Sequence, residues 1–161
     1  MALTAEEIGA TVSMASNCQV LFAAEGRVLA WRDGLSYELT VDERQVRMSA
    51  RIGSIGEVYD HESPDERILP DCARRMGELL DGQYLFAETA GFTPSVDTCD
   101  GSMRLNHVLF AEGLTADALL AEFDRLGEVA KGWFVRLSGD GSEKDRTEEE
   151  LPFGSEMRIE V

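Results

Sequence analysis

A chain of 161 residues with 43% apolar content suffices for one domain with a real core, or one domain with a tail, and it contains no run of about 18 apolar residues that could span a membrane. Thirty-one acidic residues against 15 Lys and Arg leave a net charge of −16, which repels phosphate backbones and argues against direct nucleic-acid binding. The same charge keeps a protein dispersed even if it exposes apolar surface. Residues 1–7 hold two acids and no base, unlike a secretory or transit leader, so the expectation is a cytoplasmic protein. Cys18, Cys72 and Cys99 are odd in number and widely spaced, with no C-x-x-C pair. They read as small buried hydrophobes in a reducing compartment rather than as disulfide or zinc partners.

In chain order, Thr4 followed by Glu6 and Glu7 marks a helix start. Ile8, Val12, Ala15 and Phe22 extend a weak amphipathic stripe, predicting a first helix over roughly 4–23, although Cys18–Phe22 also reads as a strand; Gly26 ends either one. A meander comes next. Arg27–Arg32 is a strand with Leu29 and Trp31 on one face, and Asp33-Gly34 is a two-residue hairpin signal. Tyr37, Leu39 and Val41 then alternate with polar residues, as do Val46, Met48, Ala50 and Ile52. Pro70 suits the first turn of a second helix with Cys72, Met76, Leu79 and Leu80 on its apolar side. Asp81-Gly82 ends it, or it continues through Tyr84, Leu85 and Phe86 to Gly91. Pro94 confines Phe92–Thr98 to an edge strand or a bulge, and Asp100-Gly101 is another turn. The next strand carries Met103, Leu105, His107 and Leu109 on one side; Val108 and Phe110 on the other imply that it is covered on both. The longest helical stripe is Thr115–Leu137, built on Leu119, Leu120, Phe123, Leu126, Ala130, Trp133, Phe134 and Leu137.

Residues 139–161 hold eight acids and three bases, including Glu148-Glu149-Glu150, and disorder is expected up to about Glu150. Met157, Ile159 and Val161 alternate as a short added strand would. The expected division is therefore a single domain over 1–138 and an acidic, flexible tail over 139–161. The fold class is α+β: a twisted antiparallel sheet of about five strands flanked by three helices, in the order α-βββ-α-ββ-α.

Chemistry is sparse. No G-x-S-x-G, H-E-x-x-H, G-x-G-x-x-G or Walker motif occurs. His107 sits among apolar strand residues and reads as a half-buried histidine; a hydrolase centre would have to pair it with Cys99 or Ser102. His61 lies in an acidic loop without fixed metal geometry. The expectation is no catalysis, no cofactor and no metal.

The element order and apolar pattern of residues 4–138 resemble the class I type III secretion chaperones, the Tir-chaperone superfamily. The resemblance is carried by the segment from Leu69 to Leu137: the helix ending in Leu79-Leu80, the hairpin Phe92–Phe110 and the helix ending in Trp133-Phe134. The asparagine often found after the paired leucines is replaced by Asp81-Gly82. The acidity is similar to that of the general chaperones of plant-pathogen Hrp systems. The resemblance implies a cytoplasmic homodimer that binds an extended N-proximal segment of one or several effectors, keeps them soluble and secretion-competent, and meets the secretion ATPase. It places effector contacts on Val12, Val20, Phe22, Leu29, Trp31, Tyr37 and Leu39, and the dimer contact on Met76, Leu79, Leu80, Leu85, Phe86 and Phe92. The competing reading is a small-molecule-binding or regulatory α+β domain with a pocket lined by Trp31, Phe92 and Trp133.

Overall fold

The structure, a computed structural model, describes residues 3–54, 68–83, 89–97 and 99–138. Helix α1, Ala5–Val12, starts at a capping box: Thr4 Oγ1 accepts from Glu7 N, and Thr4 N donates to Glu7 Oε2 at 2.7 Å. It stops at Ser13, far short of residue 23. Asn17, at φ 56°, turns the chain into strand β1, Cys18–Ala24. The strand alternative for Cys18–Phe22 therefore holds. Its cause is the hairpin made with the next strand. Glu25 and Gly26 both adopt positive φ (55° and 73°), the twist a two-residue turn needs to lay β1 on β2, Arg27–Arg32. Asp33-Gly34 repeats this geometry, at 51° and 83°, between β2 and β3, Leu35–Val41.

Strand β4 is Gln45–Ser54, and helix α2 is Ile68–Gln83. Two further strands, β5 (Thr93–Val96) and β6 (Ser102–Phe110), precede α3, Ala116–Ser138. Thr115 Oγ1 caps α3 by accepting from Ala118 N at 3.1 Å. All pairings are antiparallel, in the order β1-β2-β3-β4-β6-β5, so the sheet has six strands rather than five. Pro94 lies on the edge strand β5, where its missing N–H costs no ladder bond.

One face of the sheet is covered. Helix α1 packs over β1 and β2, α3 over β4 and β6, and the two helices touch. Ile8, Leu39, Met48, Ile52, Leu105 and Phe123 are fully buried between them, each stabilising the fold by roughly 1.5–3 kcal/mol of apolar burial. Gly9 allows the close approach, because a Cβ there would lie 2.6 Å from Ala23 Cβ. Helix α2 packs beside β5, and its Glu78 accepts from Arg136 of α3 at 3.1 Å.

Two expectations are corrected here. Val108 and Phe110 are 49% and 82% exposed, so β6 is covered on its inner side only. Phe134, placed on the buried stripe of α3, is 41% exposed: the stripe passes through Trp133 and Leu137, and position 134 falls one step off it. The loop containing His61 and the segment 139–161 lie outside the described residues, as does the extension of α2 through Leu85 and Phe86.

Candidate functional site

Among the described residues strand β1 is an edge, paired with β2 alone. Register places Phe22 opposite Leu29, and Gln19 opposite Trp31, on the uncovered face of the sheet. A bulge between Val20 and Phe22 leaves Leu21 without a partner residue, and its side chain is 61% exposed. Phe22 (42% exposed) and Trp31 (47%) complete an apolar patch with half-buried Leu29. Trp31 also lines an open cleft of about 290 Å³ with Leu35, Arg51, Gly53 and Phe134. Unpaired backbone groups beside exposed aromatic and aliphatic side chains are what an added strand requires.

The predicted effector contacts thus divide. Phe22, Leu29 and Trp31 come together on the outer face. Val20 faces inward opposite Ala30 and is half-buried. Val12, Tyr37 and Leu39 are sealed in the core, at most 2% exposed, and have no surface in this chain to offer a partner. Tyr37 tilts against Phe123 at 5.1 Å between ring centres, and burial pushes its hydroxyl up to about 12. Leu21 was missed by sequence reasoning, because only the bulge, which depends on pairing with β2, exposes it.

The predicted dimer residues divide as well. Leu80 is 63% exposed on α2, whereas Leu79 and Phe92 are buried in the core. Leu85 and Phe86 lie outside the described residues, as does the Met76 side chain. Phe92 is held by two neighbours: Arg125 stacks on its face at 4.3 Å, and His107 meets it edge-on at 5.0 Å. Trp31, Phe92 and Trp133 are not gathered into one pocket: Trp31 lies on the outer face, Phe92 and Trp133 within the core.

His107 serves structure. Its Nε2 lies 3.0 Å from Glu122 Oε2, and Arg125 binds the same carboxylate at 2.8 Å while donating to Ala90 O at 2.6 Å. The cluster ties α3 to β6 and to the turn before β5. Burial lowers the affinity of His107 for a proton below the ordinary 6.5; Glu122 opposes this and Arg125 adds to it. The unfolded chain therefore binds that proton more readily. Stability is full above 6.5 and falls as pH drops below it, until the lowered folded value is passed. Urea unfolding at pH 5.5 and 7.5 is expected to show this loss, and His107→Gln to flatten it.

Among the described residues there is no cluster of three or more His, Cys, Asp and Glu side chains placed to hold a metal ion. No helix among them is long and apolar enough to cross a membrane.

No known family pattern and no curated protein matches the chain. Among solved structures, a chain of the HopA1–SchA chaperone–effector complex is similar, with a TM-score of 0.54 and 16% identity over 81% of this chain and 89% of that one. A chain of the ExsC–ExsE complex is similar at 0.47 and 13%, covering 85% of this chain and 97% of that one. The heterodimeric ExoU–SpcU complex from the type III secretion system of Pseudomonas aeruginosa stands at 0.42 and 17%, covering 78% and 83%. The α+β fold is thus shared with a chain of a chaperone–effector complex, as the resemblance to type III secretion chaperones implies.

Proposed function

We propose that this chain is a cytoplasmic, non-catalytic secretion chaperone. On this reading it receives an extended N-proximal segment of type III effector proteins along β1 and keeps them soluble and secretion-competent. The observation that carries the reading is the Leu21, Phe22 and Trp31 patch beside a strand edge that pairs with no further strand among the described residues. The fold shared with a chain of the HopA1–SchA complex supports it. Strand addition would supply main-chain hydrogen bonds, and the patch would select apolar side chains on the client. Leu29 would form the floor of this surface, with Val20, Val12, Tyr37 and Leu39 stiffening the sheet from its covered side. Delivery to the secretion ATPase belongs to the same reading.

Co-expression with an aggregating effector tests this. Phe22→Ser combined with Trp31→Ser is expected to reduce the soluble complex at least ~10-fold, about 1.4 kcal/mol of binding. The chaperone's own unfolding midpoint should barely move, since both side chains are exposed. Unchanged recovery of the client would overturn the reading.

The proposal includes a homodimer formed through α2 and the neighbouring β5 edge, with Leu80 as its exposed anchor. Light scattering is expected to give twice the 17.7 kDa chain mass, and Leu80→Glu to halve it. A monomer at every concentration for the unaltered chain would remove the dimer.

A further inference from the structure

The outer face of the sheet carries a stripe of positive charge on a chain of net charge −16. Arg47 and Arg51 project from β4 on the side opposite buried Val46, Met48, Ala50 and Ile52. Arg104 of β6 stands directly across from Arg51. Like charges opposite one another in a sheet repel, so the pair calls for a counter-charge. Asp100, in the turn before β6, acts on Arg104 and Arg51 through space, and Asp42 on Arg47, but among the described residues no carboxylate comes within ion-pairing distance of the three arginines. Arg104 makes only hydroxyl contacts, to Ser102 Oγ at 3.2 Å and Ser49 Oγ at 3.5 Å, and Arg47 donates to the Gln45 amide oxygen in the orientation that accepts from it. Two open clefts flank the stripe. One, of about 280 Å³, is lined by Glu38, Arg47, Ser49, Asn106 and Val108, its Glu38 being engaged by Arg27 at 3.1 Å; the other is the Trp31–Arg51–Phe134 cleft.

The chain leaves α3 beside that second cleft. Leu137 packs over Gly53, two residues from Arg51, and α3 ends at Ser138. Residues 139–161 continue from that point with eight acids and three bases, a net charge of 3 − 8 = −5. The ten residues from 139 to Glu148 reach at most roughly 33 Å, and neighbouring strands lie only about 4.8 Å apart. Glu148, Glu149 and Glu150 are therefore within reach of the arginines. Tethering sets their local concentration on the order of millimolar, above that of any free acidic peptide at ordinary levels.

We propose that the outer face along Arg47, Arg51 and Arg104 is the docking surface for the chain's own acidic residues 139–161. The glutamates neutralise the repelling arginine pair, and the segment passes over Trp31 and Phe134 on its way.

The test uses the full chain. Trp31 is 47% exposed and the only other tryptophan, Trp133, is 3% exposed, so acrylamide quenching reports on Trp31. The combined Glu148→Gln, Glu149→Gln and Glu150→Gln variant, which alters none of the described residues, is expected to raise the quenching constant about twofold at low salt. It should also shift the Arg51 and Arg104 side-chain Nε–H resonances. High salt should produce the same change in the unaltered chain and little in the variant. Unmoved quenching and arginine resonances overturn the proposal. Shifts that grow with protein concentration overturn it in favour of a second copy's acidic segment. A stripe that responds only when a poly-glutamate peptide is added overturns it in favour of a partner in trans.

Discussion

Arg32→Ala is expected to lower stability by roughly 3 kcal/mol, measured by urea unfolding. The guanidinium, only 8% exposed, is held at the junction of three elements. Its Nε donates to Ser16 O at 3.1 Å and its Nη2 to Ser16 Oγ at 3.4 Å, fixing the turn between α1 and β1. Nη1 lies 2.8 Å from Asp124 Oδ1 of α3, close enough for an ion pair though not aligned as a hydrogen bond. The cation also rests on the Phe123 ring at 5.3 Å. Gly127 makes the space, since a Cβ there would approach Nη1 to 3.3 Å. Alanine leaves Ser16 O without its donor and opens a void against Phe123. Asp124, half exposed, is rehydrated, so its lost partner contributes little to the cost. Arg32→Lys should recover less than half, because an ammonium cannot reach Ser16 and Asp124 together. A loss below about 1 kcal/mol for the alanine variant would show that the buried cation is not a structural fastener.

Gly9→Val should cost roughly 2–3 kcal/mol by overpacking. The atom it meets is Ala23 Cβ, 2.6 Å from the position of the new Cβ, and a methyl fixed to a strand backbone cannot swing aside. Helix α1 must then lift from β1. Gly9→Ala suffers the same clash, but alanine's helix propensity offsets it by about 1 kcal/mol. Ala23→Gly combined with Gly9→Val is expected to restore more than half of the lost stability, and strict additivity of the two substitutions would refute the contact.

Much of the fold was legible because it rests on local signals. The Asp33-Gly34 turn, the alternation in β3 and β4, and the stripe and Thr115 cap of α3 each arise from a short stretch of sequence. The end of α1 was not legible. Ile8, Val12, Ala15 and Phe22 keep a helical spacing across what is in fact a helix, a turn and a strand. Pairing with β2 across Glu25-Gly26 decides the matter, and that partner is not visible within the segment itself. The candidate site was legible in part for a related reason. Strand alternation put Leu29 and Trp31 on a common face, but whether an alternating face is covered depends on where the helices land. Helices α1 and α3 cover the side that bears Tyr37 and Leu39, which is why those two are core while Phe22 and Trp31 remain outside.

The two tight hairpins also bear on the order in which the molecule assembles. Strands β1 to β4 are neighbours in sequence as well as in space, so their pairing closes only short loops and is entropically inexpensive. Helix α3, which roofs β4, begins at residue 116, more than sixty positions after β4 ends at Ser54. During synthesis at the ribosome the meander therefore emerges and pairs long before its lid exists. For that interval Tyr37, Met48 and Ile52 face water, and the nascent meander passes through its most aggregation-prone stage.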